Sequence, residues 1–193
     1  MPEKKTRCRW AESSELMRQY HDEEWGVPLR DARALWELLM LEGFQAGLSW
    51  SVVLHKREAF QAAFYGFDPA RVARMNEHDI ERLLQDPRII RSRAKIQATI
   101  LGAQLFQQME RSGENFSDWL WSFVDDRPIQ TEPPFPTVTD EAVDMSKALK
   151  KRGFKFVGPT IVYAFMQAAG MTNDHAEECF RRTPCTRLAT KRR

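Results

Sequence analysis

Residues 146–170 read SKALKKRGFKFVGPTIVYAFMQAAG, and this stretch decides the fold. A Lys-rich helical segment that opens at Asp140 runs up to Gly153, the residue type that most readily takes the left-handed conformation ending a helix. Gly158-Pro159 then opens a second helix, with proline at the first helical position and Gly170 at its close. The GFKFVG turn between them is flanked by Lys147, Lys150, Lys151, Arg152 and Lys155. Backbone N–H groups at a helix start, with cations beside them, suit a phosphate. A Lys-rich face is more often simply solvated. Here the two glycines and Pro159 turn the reading toward a helix-hairpin-helix that holds a nucleic-acid backbone without reading its sequence, through Lys151, Arg152, Gly153, Lys155 and Gly158.

Working outward, nearly every other segment also reads as helix. Asp31 caps a helix through Leu35, Leu38, Leu39 and Met40, and Asp68-Pro69 opens a short one. A long helix runs from Arg91 to Arg111 and stops at Gly113, and Ser117 starts another in SDWLWSFV. No stretch alternates with the period of a strand. The four prolines of DDRPIQTEPPFPTV, residues 125–138, mark a connecting loop between an earlier and a later helical group. The expectation is an all-α bundle: one domain over residues 1–185, followed by a basic, unstructured tail over 186–193.

With 193 residues the chain can bury a sizeable core. The start, MPEKKTRCRW, lacks the apolar run of a secretory signal, and the most apolar stretch, Leu35 to Leu54, carries Glu37 and Glu42 and suits a buried helix better than a membrane span. The reading is a soluble cytosolic protein with reduced thiols and no membrane partner. The net charge of +2 hides an asymmetry. Four cations face one acid in the first nine residues, and six cations face none in the last thirteen, so basic ends flank an acidic body. Such ends can be solvated tails or can lean on a polyanion.

Cys8 and His21 near one end, and His175 and Cys179 near the other, make up a Cys2His2 set. On a helix His175 and Cys179 would share one face, so the four residues could hold a tetrahedral zinc that fastens the termini together. Three cysteines and four histidines can equally be scattered packing residues. The His-x-x-x-Cys spacing, and a count that leaves only Cys185 spare, favour zinc. His55, His78 and Cys185 receive no role.

Glu42 lies on an apolar stripe with Leu35, Leu38, Leu39, Ala46 and Trp50. A buried carboxylate without a partner is costly. It either pairs with a neighbouring arginine or lines a pocket whose ligand supplies the partner, and the pattern leaves both open. Trp10, Tyr20, Trp25, Trp36, Phe44 and Trp50 crowd the first fifty residues. Most aromatics in a helical protein are core, yet rings around one acid also suit a flat cationic heterocycle.

WAESSELMRQYHDEEWGVP, LEGFQAGLSWSVVLHKRE, SKALKKRGFKFVGPTIVYAFMQAAG and NDH together resemble the 3-methyladenine DNA glycosylase I family of the helix-hairpin-helix glycosylase superfamily. The resemblance covers roughly Cys8 to Cys179. It implies a monofunctional base-excision enzyme that hydrolyses the N-glycosidic bond of 3-methyladenine in double-stranded alkylated DNA, acting as a monomer. It further implies one structural zinc on Cys8, His21, His175 and Cys179, a base-recognising carboxylate at Glu42, a stacking ring at Trp50, and pocket aromatics at Trp10, Tyr20 and Trp25. Two positions depart from the family pattern: Met17 stands where members can carry tyrosine, and Arg88 where glycine is common. The resemblance brings no lysine nucleophile into the pocket, so water is the expected attacker, with Asp174 as a candidate to position it. The competing reading is a zinc-stapled DNA-binding protein without catalysis. A zinc hydrolase is disfavoured, because four protein ligands leave no open position for water.

Overall fold

A computed structural model describes residues 5–190, and the side chains of residues 189 and 190 are left out of the description. Among the described residues the architecture is all-α. The helices are α1 (Glu15–Glu23), α2 (Ala32–Gln45), α3 (Trp50–His55), α4 (Arg57–Ala63), α5 (Pro69–Val72), α6 (Glu77–Leu84), α7 (Arg93–Arg111), α8 (Phe116–Trp121), α9 (Asp140–Arg152), α10 (Pro159–Ala168) and α11 (Arg182–Thr190). No helix among the described residues is long and apolar enough to cross a membrane.

Local chemistry sets the helix starts. Asp31 accepts from the Ala34 N–H at 2.8 Å to cap α2, Asp68 caps α5 ahead of Pro69, and Asn76 with Asp79 forms a capping box on α6. Three boundaries differ from the sequence expectation. The long helix starts at Arg93 with Ser92 as its N-cap, and α8 starts at Phe116, because Asn115 accepts from the Asp118 N–H. The unstructured tail expected from residue 186 is also corrected, since residues 186–190 continue α11. Residues 191–193 lie outside the described residues.

A large core draws on both sides of the Pro-rich loop, from Leu35 and Trp36 on α2 to Phe165 and Met166 on α10. At its centre α2 meets α7 closely at Gly102, where a Cβ would stand 2.8 Å from Met40 Sδ. A smaller cluster holds Cys8, Met17, Tyr20, Trp25, Leu54, Ala168 and Cys179, so the two ends of the chain share it. Gly170, at φ +68°, lets the turn after α10 meet the N-terminal segment. A Cβ there would come within 2.5 Å of the Val27 and Pro28 backbone, and Leu29 N–H donates to Ala169 O alongside at 3.0 Å.

Two further features depart from the sequence reading. A two-residue parallel pairing joins β1 (Ile129–Gln130) to β2 (Thr172–Asn173), too short to leave a period-2 signal. His175 and Cys179 lie in an irregular turn between β2 and α11 and not on a helix. Tertiary bonds override the helical spacing there. Asp174 accepts from Tyr163 Oη at 2.5 Å, Gln167 Nε2 at 2.6 Å and Thr131 Oγ1 at 2.5 Å, which ties the chain to α10 and to the loop that follows β1.

Candidate active site and metal centre

The expected hairpin is present. Gly153 ends α9 at φ +106°, Gly158 caps α10, and Ser146 Oγ donates to Val157 O at 2.6 Å to close the turn. Lys151 and Lys155 are exposed, and a Cβ at Gly158 would meet nothing within 4 Å, so a phosphate backbone can approach. Arg152 is engaged within the fold. It pairs with Glu114 at 2.5 Å and lies 4.3 Å over the Trp119 ring, which makes it a brace between α9 and the region before α8. Arg88 is likewise bound locally to Asp86, at 2.8 Å.

The two ends of the chain bring Cys8, His21 and Cys179 together, with ligand atoms within 4.8 Å of one another. Cys179 Sγ lies 3.3 Å from His21 Nε2, and the Ala176 N–H donates to Cys8 Sγ at 3.3 Å. His175 adjoins them, its ring centroid 5.2 Å from that of His21. Both imidazoles are oriented through Nδ1, His21 toward Asp22 Oδ1 and His175 toward Asn173 Oδ1, each at 2.9 Å. Since these oxygens only accept, each Nδ1 carries a proton; His175 Nε2 then presents a lone pair, while His21 Nε2 faces Cys179 Sγ. His175 Nε2 is buried with no partner among the described residues, and burial pushes this imidazole down to about 4, keeping it neutral. The hydrogen bond between the two thiols drives Cys8 up and Cys179 down to about 4, as a thiol donating to a thiolate would. Two sulfurs, two imidazole Nε2 atoms and oriented outer groups fit a tetrahedral zinc. Gly26 is required beside it, since a Cβ there would stand 2.5 Å from His175 Cε1.

Glu42 projects from α2 and is 2 % exposed. Its Oε2 has no partner, so the arginine pairing left open in the sequence is absent among the described residues. Desolvation alone pushes the carboxyl up to about 8. Tyr20 is close enough that Glu42, after desolvation, raises its phenol further, and Tyr20 lies 5.5 Å from Trp50 between ring centroids. Trp10 contacts Tyr20 at 6.3 Å and Trp25 at 5.0 Å, and Trp25 stands 4.6 Å from His175. The expected aromatics thus form one chain of rings from the cysteine–histidine cluster to Glu42.

A family model described as methyladenine glycosylase matches residues 10–182. The chain belongs to the methyladenine glycosylase family. It is 54% identical over 177 residues to DNA-3-methyladenine glycosylase 1 of Escherichia coli strain K12, covering 90% of this chain and 95% of that one. A crystal structure of 3-methyladenine DNA glycosylase I superposes with a TM-score of 0.89 at 54% identity, over 91% of this chain and 98% of that one. A tyrosine variant of 3-methyladenine DNA glycosylase I, solved in complex with 3-methyladenine, superposes with a TM-score of 0.87 at 38% identity, over 97% and 99% of the two chains.

Within this methyladenine glycosylase chain, two features escaped the sequence reading. Leu48 is 44% exposed on the turn between α2 and α3, beside Gly47 at φ +81°. A large apolar residue after glycine in a turn was the available signal. Lys95 Nζ donates to Phe44 O at 2.8 Å and Ala46 O at 2.6 Å, tying down the carbonyl end of α2 just past Glu42. Asp174, the candidate to position water, accepts from Thr131 Oγ1, Tyr163 Oη and Gln167 Nε2, so both its carboxylate oxygens are engaged within the fold.

Proposed function

We propose that this protein releases 3-methyladenine from alkylated double-stranded DNA by hydrolysis of the N-glycosidic bond, leaving an abasic site, and that it works as a monomer. The observation that carries the reading is the partnerless, buried Glu42 carboxyl beside Trp50 and Tyr20. Methylation at N3 makes the adenine nucleotide cationic and its neutral base a good leaving group, so little acid catalysis is needed. The protein must extrude the nucleotide, at a cost of a few kcal/mol that is lower for a damaged base. It must then favour the cation.

Glu42 meets the second requirement. Burial raises its pKa to about 8, so near neutral pH the carboxyl by itself holds a proton. A cationic base entering the same low-dielectric space favours the carboxylate, which accepts from the base edge while Trp50 offers its π face. Trp10, Tyr20 and Trp25 wall the pocket. Lys151, Arg152, Gly153, Lys155 and Gly158 hold the phosphate backbone, and Leu48, exposed on the turn between α2 and α3, is the apolar side chain that enters the duplex. A zinc held by Cys8, His21, His175 and Cys179 supplies structure, joining the segment that carries Trp10, Tyr20 and Trp25 to the turn after α10. Incubation with methylated duplex DNA, with the released base identified, tests the reading; recovery of no 3-methyladenine refutes it.

A further inference from the structure

Glu42 does not stand alone on its helix. Leu38, Glu42 and Gln45 follow one another at steps of four and three, so they form one stripe of α2. Leu38 packs against the smaller cluster, which also receives Trp50 and contains Tyr20. Gln45, the last residue of α2, buries its Oε1 with no partner among the described residues. Trp50 Nε1 is in the same condition. Three of the seven buried unpartnered side-chain polar atoms among the described residues thus fall within the nine residues 42–50, where desolvation is uncompensated unless a ligand pairs with them. The backbone that presents Gln45 is fixed. Its carbonyl accepts from Leu48 N–H at 2.6 Å, and Lys95 holds the carbonyls of Phe44 and Ala46 on either side.

We propose that Gln45 is a specificity-determining residue whose buried Oε1 accepts a hydrogen bond from the 6-amino group of the extruded base beside Glu42. The proposal rests on the glycosylase reading above and deepens it. Two acceptors on one stripe match the two N–H donors of an adenine-type amino group. A guanine-type lesion carries an oxygen at that position. It would set acceptor against acceptor inside a dry pocket, which both removes a bond and leaves two oxygens unpaired. Gln45 thereby admits 3-methyladenine and rejects 3-methylguanine.

The test measures single-turnover release of both bases from one preparation of methylated duplex DNA by the full chain and by Gln45→Leu, Gln45→Met and Gln45→Glu variants. Leu and Met fill similar space without an acceptor and should lower 3-methyladenine release about ten- to hundredfold, the usual range for a hydrogen bond to a charged group. They should change 3-methylguanine release by less than about threefold, so the preference collapses. Gln45→Glu retains an acceptor and should keep most of it. Melting temperatures should not fall in the Leu variant, because it removes a buried unpaired oxygen. An unchanged preference in the Leu and Met variants, or equal loss of both products, overturns the assignment to Gln45 alone. A selective loss of 3-methylguanine release would mean that the amide presents its Nε2, and also overturns it. Absence of 3-methyladenine release by the unsubstituted chain would instead overturn the glycosylase reading, and this proposal with it.

Discussion

Asn173 Oδ1 holds His175 Nδ1 at 2.9 Å, and this one bond decides that His175 points a bare nitrogen lone pair into a buried space. Gly26, having no Cβ, leaves the space that the ring occupies, so the imidazole is aimed before any ion arrives. Metal analysis should find one zinc per chain. Cys179→Ala and His175→Ala should each lose most of it, and Gly26→Ala should lower the affinity by displacing the ring. Full zinc retention in Cys179→Ala would remove Cys179 from the ligand set.

Asn173→Ala should loosen the same imidazole without deleting a ligand. Outer-shell partners of this kind typically alter metal affinity ten- to a hundredfold. Competition with a chelator should therefore strip zinc from this variant earlier than from the unsubstituted protein. Equal resistance would show that Asn173 does not orient His175.

Burial of Glu42 makes stability depend on pH. The folded carboxyl titrates near 8, whereas the unfolded one keeps the ordinary value of 4.5. Below 4.5 both states hold the proton, and the folded state bears no penalty. Between 4.5 and 8 only the unfolded state releases it, so stability falls as pH rises, by on the order of 5 kcal/mol in total, and levels off above 8. Glu42→Gln should flatten that slope and melt higher than the unsubstituted protein at pH 8. Identical pH profiles for the two proteins would place the carboxyl in water.

Arg152 and its neighbours should separate when substituted. Lys151→Ala and Lys155→Ala should each weaken DNA binding across sequences and reduce the slope of log K against log salt by about 0.9. Arg152→Ala should reduce that slope as well and also cost about 1 kcal/mol of stability, because its half-buried guanidinium pairs with Glu114 and stacks on Trp119. A salt slope unchanged in Arg152→Ala would remove Arg152 from the DNA surface.

The helical architecture was legible because its punctuation is chemical. Asp31, Asp68-Pro69, Gly153 and Gly158-Pro159 mark helix ends that the structure retains. The cysteine–histidine set was legible by residue type, but the helix assumed for His175 and Cys179 was not there. Spacing of four suits a helix and also a turn, and only the bonds from Asp174 to Tyr163, Gln167 and Thr131 select the turn. The pairing of Arg152 was not legible for a similar reason: Glu114 and Trp119 lie more than thirty residues away in sequence, so its engagement is tertiary. Gln45 went unnoticed because a polar residue ending a helix looks solvated. Its burial depends on what packs over the stripe it shares with Leu38.

The central claim is that Glu42 recognises a cationic methylated adenine. The most direct measurement is release of identified bases from methylated duplex DNA by the unsubstituted protein and by Glu42→Gln, with folding of the variant confirmed by its melting curve. The unsubstituted protein should release 3-methyladenine as its main product, and the variant should lose on the order of a hundredfold, as removal of one preorganised electrostatic partner produces. Equal release by the two proteins would contradict it.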